Sequence, residues 1–254
     1  MRYLEKHKQG QATIFIILGI VLVIGILAFI YLSEDIDLRK FSERDPKQLI
    51  QDCVKNSIKN SLTTLLANGG ENDMDHYVSY FGESYNYLCY SGNYFSRCYN
   101  IHPMLEYSIE SEIRSGTIDA VQECFDSLRE NLEKGGFSFS NEATDYSIDL
   151  LPGIVQVNLK KKIAFSRNLS SESFEDFDME ILSDIYGLVK VVGLIVNEET
   201  TTCEFNHYDY MISDPRYSIE KNNFNHNKIY RVMNRVTREE FRFAIRNCAI
   251  PSGL

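Results

Sequence analysis

Between Ala12 and Leu32 the chain carries no charged side chain, and only Thr13, Gly19 and Gly25 interrupt its apolar character. At about 1.5 Å of rise per residue, a helix of this length reaches the roughly 30 Å of a bilayer's hydrocarbon core. A core helix of a globular protein ordinarily keeps polar positions along one face, which this run lacks. The pattern predicts a single transmembrane helix over 11–32.

After Ser33 the pattern becomes that of a folded domain. Asp45-Pro46 offers an N-cap acid followed by proline in the first turn. Leu49, Ile50, Cys53, Val54, Ile58, Leu62 and Leu65 then recur at intervals of three and four, which predicts a helix ending at Gly69-Gly70. Tyr77 to Tyr99 is aromatic and broken at Gly82 and Gly92, a pattern of short strands and turns. His102-Pro103 opens a second helical stretch. Met104, Leu105, Ile109 and Ile113 form one stripe; Ile118, Val121, Cys124, Phe125, Leu128 and Leu132 form another beyond a break at Gly116, and Gly135-Gly136 ends it.

The period then changes to two. Val155, Val157, Leu159, Lys161, Ile163 and Phe165 alternate with mostly polar neighbours, and Pro152-Gly153 turns this strand back on Tyr146 to Leu151. Ile181, Leu182, Ile185, Leu188, Val189, Val192 and Ile195 predict a buried helix near 178–199. Asp184, Gly187 and Lys190 argue against a second membrane crossing there. Tyr217 to Phe224, Lys228 to Val236 and Phe241 to Cys248 are candidate strands. The fold class is α+β, with helices packed on antiparallel β-sheet behind one N-terminal membrane helix. Its organisation is a basic leader over 1–10, the helix over 11–32, a linker over 33–44, a mainly helical part over 45–136 and a β-rich part over 137–254.

Charge gives the chain a direction. The leader holds Arg2, Lys6 and Lys8 against Glu5, while Glu34, Asp35 and Asp37 follow the apolar run. The positive-inside bias places the N-terminus in the cytoplasm and the large domain outside the cell membrane. The net charge is −10 for the whole chain; with the leader's three bases and one acid set aside it is −12. That excess speaks against nucleic acid and anionic lipid as partners of the domain. The lipid bilayer itself is the expected partner of residues 12–32.

All six cysteines, Cys53, Cys89, Cys98, Cys124, Cys203 and Cys248, lie beyond the apolar run. An even number in an oxidising compartment reads as disulfides, and six allow fifteen pairings among which sequence does not choose. Spacing offers hints alone. Cys89 and Cys98 flank Ser91-Gly92-Asn93 and would close a short hairpin. Cys53 and Cys124 sit on apolar faces of two predicted helices, and Cys203 with Cys248 would tie the C-terminal strands together.

Lys8-Gln9-Gly10-Gln11-Ala12-Thr13-Ile14-Phe15 resembles the type IV pilin-like (class III) signal of archaeal surface proteins. The resemblance covers about the first thirty residues. It implies a prepilin-type peptidase cutting between Gly10 and Gln11 and leaving the apolar helix on the mature chain. The sequence departs from bacterial pilins at Phe15, where those usually carry glutamate. An uncleaved signal anchor is the alternative; an ordinary cleaved signal fits poorly, because the run is too long and no A-x-A site follows it. Asp178 to Glu199 and Phe241 to Pro251 also resemble pieces of uncharacterised archaeal single-pass surface proteins. That likeness implies a location and a fold relationship, and no activity.

The chain shows no G-x-S-x-G, H-E-x-x-H, P-loop or G-x-G-x-x-G pattern. His76, His102, His207 and His226 are scattered. His207-Tyr208-Asp209 would share one face only on a strand, and reads as a solvated loop. The acid pairs Glu110/Glu112 and Asp209/Asp214 carry no weight among so many acids, and Asp75-His76 and Glu239-Glu240 read as surface. Asn168-Leu169-Ser170 is a glycosylation sequon. No catalytic, cofactor or metal site is assigned. The reading is a non-enzymatic, membrane-anchored cell-surface protein, in one version a pilin-like or pseudopilin-like subunit that self-assembles or joins a membrane complex. The alternative is a signal-anchored extracytoplasmic enzyme or ligand-binding receptor.

Overall fold

A computed structural model describes residues 17–26, 45–93, 96–142, 144–167, 170–246 and 248. The chain divides into two compact units, Met1–Gln48 and Leu49–Leu254. In the first, residues 17–26 are helical (α1). The large apolar side chains there are all between 50% and 63% exposed. Among the described residues no helix is long and apolar enough to cross a membrane. Most of the predicted span over 11–32, with the leader 1–10 and the linker 33–44, lies outside the described residues.

Helix α2 (Pro46–Ala67) opens where Asp45 Oδ1 accepts the Lys47 amide at 2.9 Å and buries Ile50, Val54, Ile58, Leu62 and Leu65 along one face. It ends where the Gly70 amide reaches back to the Leu65 carbonyl at 2.7 Å. Gly69 has φ of +69°, and a Cβ there would meet the Asn86 Cβ at 2.9 Å, so no other residue fits this crossing. Strands β1 (Tyr77–Tyr80), β2 (Glu83–Tyr90) and β3 (Tyr99–Asn100) follow.

Helix α3 (Leu105–Lys134) runs through Gly116 without interruption, contrary to the expected break. Ile113, Thr117 and Val121 continue one buried stripe, and the Thr117 hydroxyl bonds the Tyr146 hydroxyl at 2.8 Å. Gly116 is a contact point: a Cβ there would lie 2.7 Å from the Asn72 side-chain amide.

The remaining elements are β4 (Ser138–Asn141), β5 (Asp145–Leu151), β6 (Ile154–Arg167), β7 (Ser170–Asp176), β8 (Met179–Leu182), α4 (Ile185–Thr202), α5 (His207–Ser213), β9 (Tyr217–Phe224), β10 (Asn227–Asn234) and β11 (Glu240–Arg246). The expected helix near 178–199 is therefore split. Met179 and Ile181 are buried in strand alternation opposite β6, and the helix starts only at Ile185 and runs on to Thr202.

Two sheets result. In one, β4 then β5 follow one edge of the long strand β6, while β7 then β8 follow its other edge, all antiparallel. In the other the order is β1-β2-β11-β10-β9, with β3 beside β2. Here β11 lies parallel to β2, so the sheet is mixed rather than antiparallel as expected. Halves that sequence alone would separate at residue 136 share this sheet. It also curls: Tyr80 on edge strand β1 meets Phe224 on edge strand β9 with ring centroids 5.2 Å apart. Tyr85, Tyr87, Ile229 and Ala244 fill the inside of the curl.

Helix α4 packs on β2, β10 and β11 and also touches β5 and β6, which makes it the joint between the two sheets. Its buried face is aliphatic from Ile185 to Val196. Helix α3 covers β4 and β5. The architecture is α+β, helices on one antiparallel and one mixed sheet.

Candidate functional site

Disulfides pin these elements. Cys53–Cys124 joins α2 to α3, and Cys89–Cys98 closes the loop between β2 and β3. Cys203–Cys248 joins the C-terminus of α4, where Cys203 has φ of +54°, to the segment after β11. The third bond thus ties a helix end to a sheet edge, not strand to strand. No cysteine remains free. The candidate positions Gly10, Gln11 and Asn168 lie outside the described residues.

A cleft of about 780 Å³ opens between the start of α3 and the outer face of α4. Leu88, Leu105, Val189 and Val196 contribute apolar walls, while Glu106, Glu110, Lys190 and Asn197 supply the polar groups. Glu106 and Lys190 form an ion pair across it, and Lys190 Nζ also stands 4.8 Å from the Tyr186 ring centroid. The hydrogen bond that the Lys190 ammonium donates to Glu106 is the main cause that raises its pKa above the ordinary lysine value. Glu110 turns away to accept the Leu150 amide at 2.9 Å. Gly193 leaves open space where a side chain would stand. Such a cleft can hold an apolar body with one charged group.

His102 links this cleft to a second, acidic one of about 620 Å³ lined by Glu71, Asn72, Asp73, Asp75 and Glu112. His102 Nε2 lies 3.2 Å from Glu71 Oε1, and the other Glu71 oxygen accepts the Asn86 amide at 2.8 Å. Glu112 accepts the Asn72 backbone amide at 3.0 Å, so Glu110 and Glu112 serve different neighbours and form no pair. Among the described residues no group of three or more His, Cys, Asp or Glu is placed to hold a metal ion.

Sequence placed His207 and Asp209 in a solvated loop; both lie in α5, where residues two apart point in different directions. Asp209 belongs to the helix N-terminus capped by Asn206, and Asp214 pairs with Arg216 at 2.7 Å. Burial lowers the His207 pKa, with Lys221 adding to the effect.

Two polar networks were not foreseen. Glu199, fully buried on α4, accepts from the Tyr230 hydroxyl and from Lys228 Nζ at 2.6 Å. Burial first, then the Glu199 charge, push the Tyr230 pKa far up. At the other end of α4, Asp184 Oδ2 accepts the Tyr217 hydroxyl at 2.8 Å and the Asn234 amide at 2.6 Å. Glu239, read as surface from sequence, takes the Asp184 backbone amide and the Ser183 hydroxyl, both at 2.6 Å. Its neighbour Glu240 binds Arg231 at 3.0 Å. No sequence signal placed Glu239 there: it satisfies otherwise orphan amides at a helix N-terminus 55 residues away in the chain.

Compared with known proteins, the chain matches no family model, no curated protein and no solved structure.

Proposed function

We propose that this protein is a single-pass, membrane-anchored cell-surface protein of pilin-like type, non-enzymatic, with its folded unit in an oxidising extracytoplasmic space. The observation that carries this reading is the pairing of all six cysteines into three disulfides, downstream of an apolar helix whose large side chains are half exposed or more. Cytosolic thiols are kept reduced, so a domain stapled this way belongs outside. The buried Glu199 and the half-buried Asp184 and Glu239 support a structural role, since each holds elements together.

N-terminal sequencing of the protein isolated from native membranes tests the reading. A chain beginning at Gln11 supports prepilin-type processing. A chain beginning at Met1 retains the anchor and removes the pilin-like part. Recovery in the soluble cytosol with free thiols overturns the proposal.

The open cleft at Gly193 favours one second reading, an anchored ligand-binding receptor. Gly193→Phe would fill it. Under this reading the variant folds and anchors as before but loses its biological effect; under the assembly reading it retains it.

A further inference from the structure

Among the described residues, the four most exposed large apolar side chains of the folded unit are Phe81 at 91%, Leu182 at 86%, Val236 at 81% and Ile212 at 80%. They come from four separate stretches of the chain, two turns, the last residue of β8 and helix α5. β2 and β11 run parallel from the same end, where Arg242 and Glu83 meet at 2.7 Å. That end carries both the β1–β2 turn with Phe81 and the β10–β11 turn with Val236. Leu182 adjoins Ser183, whose hydroxyl binds Glu239 at the base of the β10–β11 turn. Ile212 leads into Asp214 and Arg216, and the Arg216 carbonyl accepts the Arg235 amide at 2.8 Å.

These tips are held, not loose. Phe81 has φ of +49° and Gly82 φ of +84°. A bulky residue in left-handed backbone costs energy, and such strain is a pointer to function. In the β10–β11 turn, Asn234 Oδ1 accepts the amides of Val236 at 2.7 Å and Thr237 at 3.2 Å, and the Arg238 amide bonds the Asn234 carbonyl at 2.9 Å. Val236 therefore projects between Arg235 and Arg238, for neither of which an ion pair occurs among the described residues. The acids around these turns are engaged, Asp214 with Arg216, Glu239 with Ser183 and Asp184, Glu240 with Arg231 and Glu83 with Arg242, while the exposed Glu180 stands two residues before Leu182 on β8.

We propose that this end of the curled sheet docks on a lipid surface, with Phe81, Val236, Leu182 and Ile212 entering the boundary of headgroup and acyl chain and Arg235 and Arg238 meeting anionic headgroup phosphates. Separate convex projections suit a soft surface better than a complementary protein groove, and apolar tips beside bare cations match the chemistry of an anionic interface. The proposal rests on the anchored reading above. Under that reading the linker over 33–44 spans at most about 43 Å, and the chain enters the folded unit beside β8, where the Gln51 amide donates to the Asp178 carbonyl at 3.0 Å. Leu182 lies at the other end of that four-residue strand. The acidic net charge, which argued against anionic lipid for the domain as a whole, does not describe this end.

The chain contains no tryptophan, so an introduced one is a sole reporter. Full-length F81W, V236W and, as a reference at the distant cleft, Y107W are reconstituted into vesicles of brominated phosphatidylcholine, with and without phosphatidylglycerol. Docking predicts blue-shifted, quenched emission for F81W and V236W and neither for Y107W. It also predicts quenching that deepens with phosphatidylglycerol and a docking equilibrium weakened about fivefold by each of R235Q and R238Q. Emission from F81W and V236W matching Y107W in both vesicles overturns the proposal. So does a blue shift without bromine quenching, which means burial against a second copy. Resistance to an alkaline carbonate wash reads the anchor separately. A retained chain with unquenched reporters keeps the anchor and removes the docking; a chain that washes off yet quenches in F81W does the reverse.

Discussion

Lys161 occupies an inward position of β6 and is almost fully buried, its Nζ 2.8 Å from both Gln122 Oε1 and Thr144 Oγ1 and 4.8 Å from the Phe125 ring centroid. Burial lowers its pKa, and Asp126 offsets part of the shift. A lysine whose folded pKa is depressed destabilises the fold while charged, and that cost disappears as pH rises through the lowered value toward the ordinary lysine range. Unfolding free energy should therefore climb across that alkaline window. Lys161→Met should abolish the climb and add about 1 kcal/mol near neutral pH, measurable by urea unfolding over a pH series. Phe81 makes the opposite kind of exception, exposed where lysine is buried. Asparagine suits its left-handed position before Gly82, so Phe81→Asn should raise stability by about 1 kcal/mol. A variant that gains stability while losing lipid contact would mark Phe81 as retained for docking rather than folding.

At the scale of elements, the start of α4 is the tightest joint. A Cβ on Gly187 would lie 2.2 Å from the Tyr217 hydroxyl and 2.6 Å from Asp184 Oδ1. Gly187→Ala should cost about 2 kcal/mol, and adding Tyr217→Phe should restore part of it, because the hydroxyl is the nearest obstacle. A double-mutant cycle by thermal or urea unfolding checks the coupling. The same region marks where sequence reasoning stopped working. Helix α2 and the β5–β6 hairpin were legible because cap, period and turn agreed over long stretches. Residues 179–188 were not: Ile181, Leu182, Ile185 and Leu188 satisfy a helical spacing, while burial opposite β6 gave the first two to a strand and left Leu182 bare. Gly116 was taken for a breaker because a sequence does not reveal the Asn72 side chain filling the space a Cβ would need. The α3–α4 cleft and the cluster of exposed tips were illegible for a further reason. Each gathers single residues from connections far apart in the chain, and a lone exposed apolar residue carries no signal.

For the whole molecule, loop length ranks the disulfides. Cys53–Cys124 encloses a sequence separation of 71 and Cys89–Cys98 one of 9. Chain-entropy reasoning assigns about 4 kcal/mol to the first and about 3 kcal/mol to the second. The C53S/C124S variant should therefore unfold at lower urea than C89S/C98S, and a protein insensitive to both would contradict the pairing. The parallel pairing of β2 with β11 sets a schedule as well as a shape. A ribosome delivers β2 long before β11, so the early strands wait for a central partner that comes last of the strands in chain order. Until it arrives, the hydrogen-bonding edges of β2 and β10 stand open, and Cys203 waits for Cys248. The finished fold is thus sealed late: a chain that stops before β11 should emerge as an aggregation-prone intermediate rather than a slightly smaller domain.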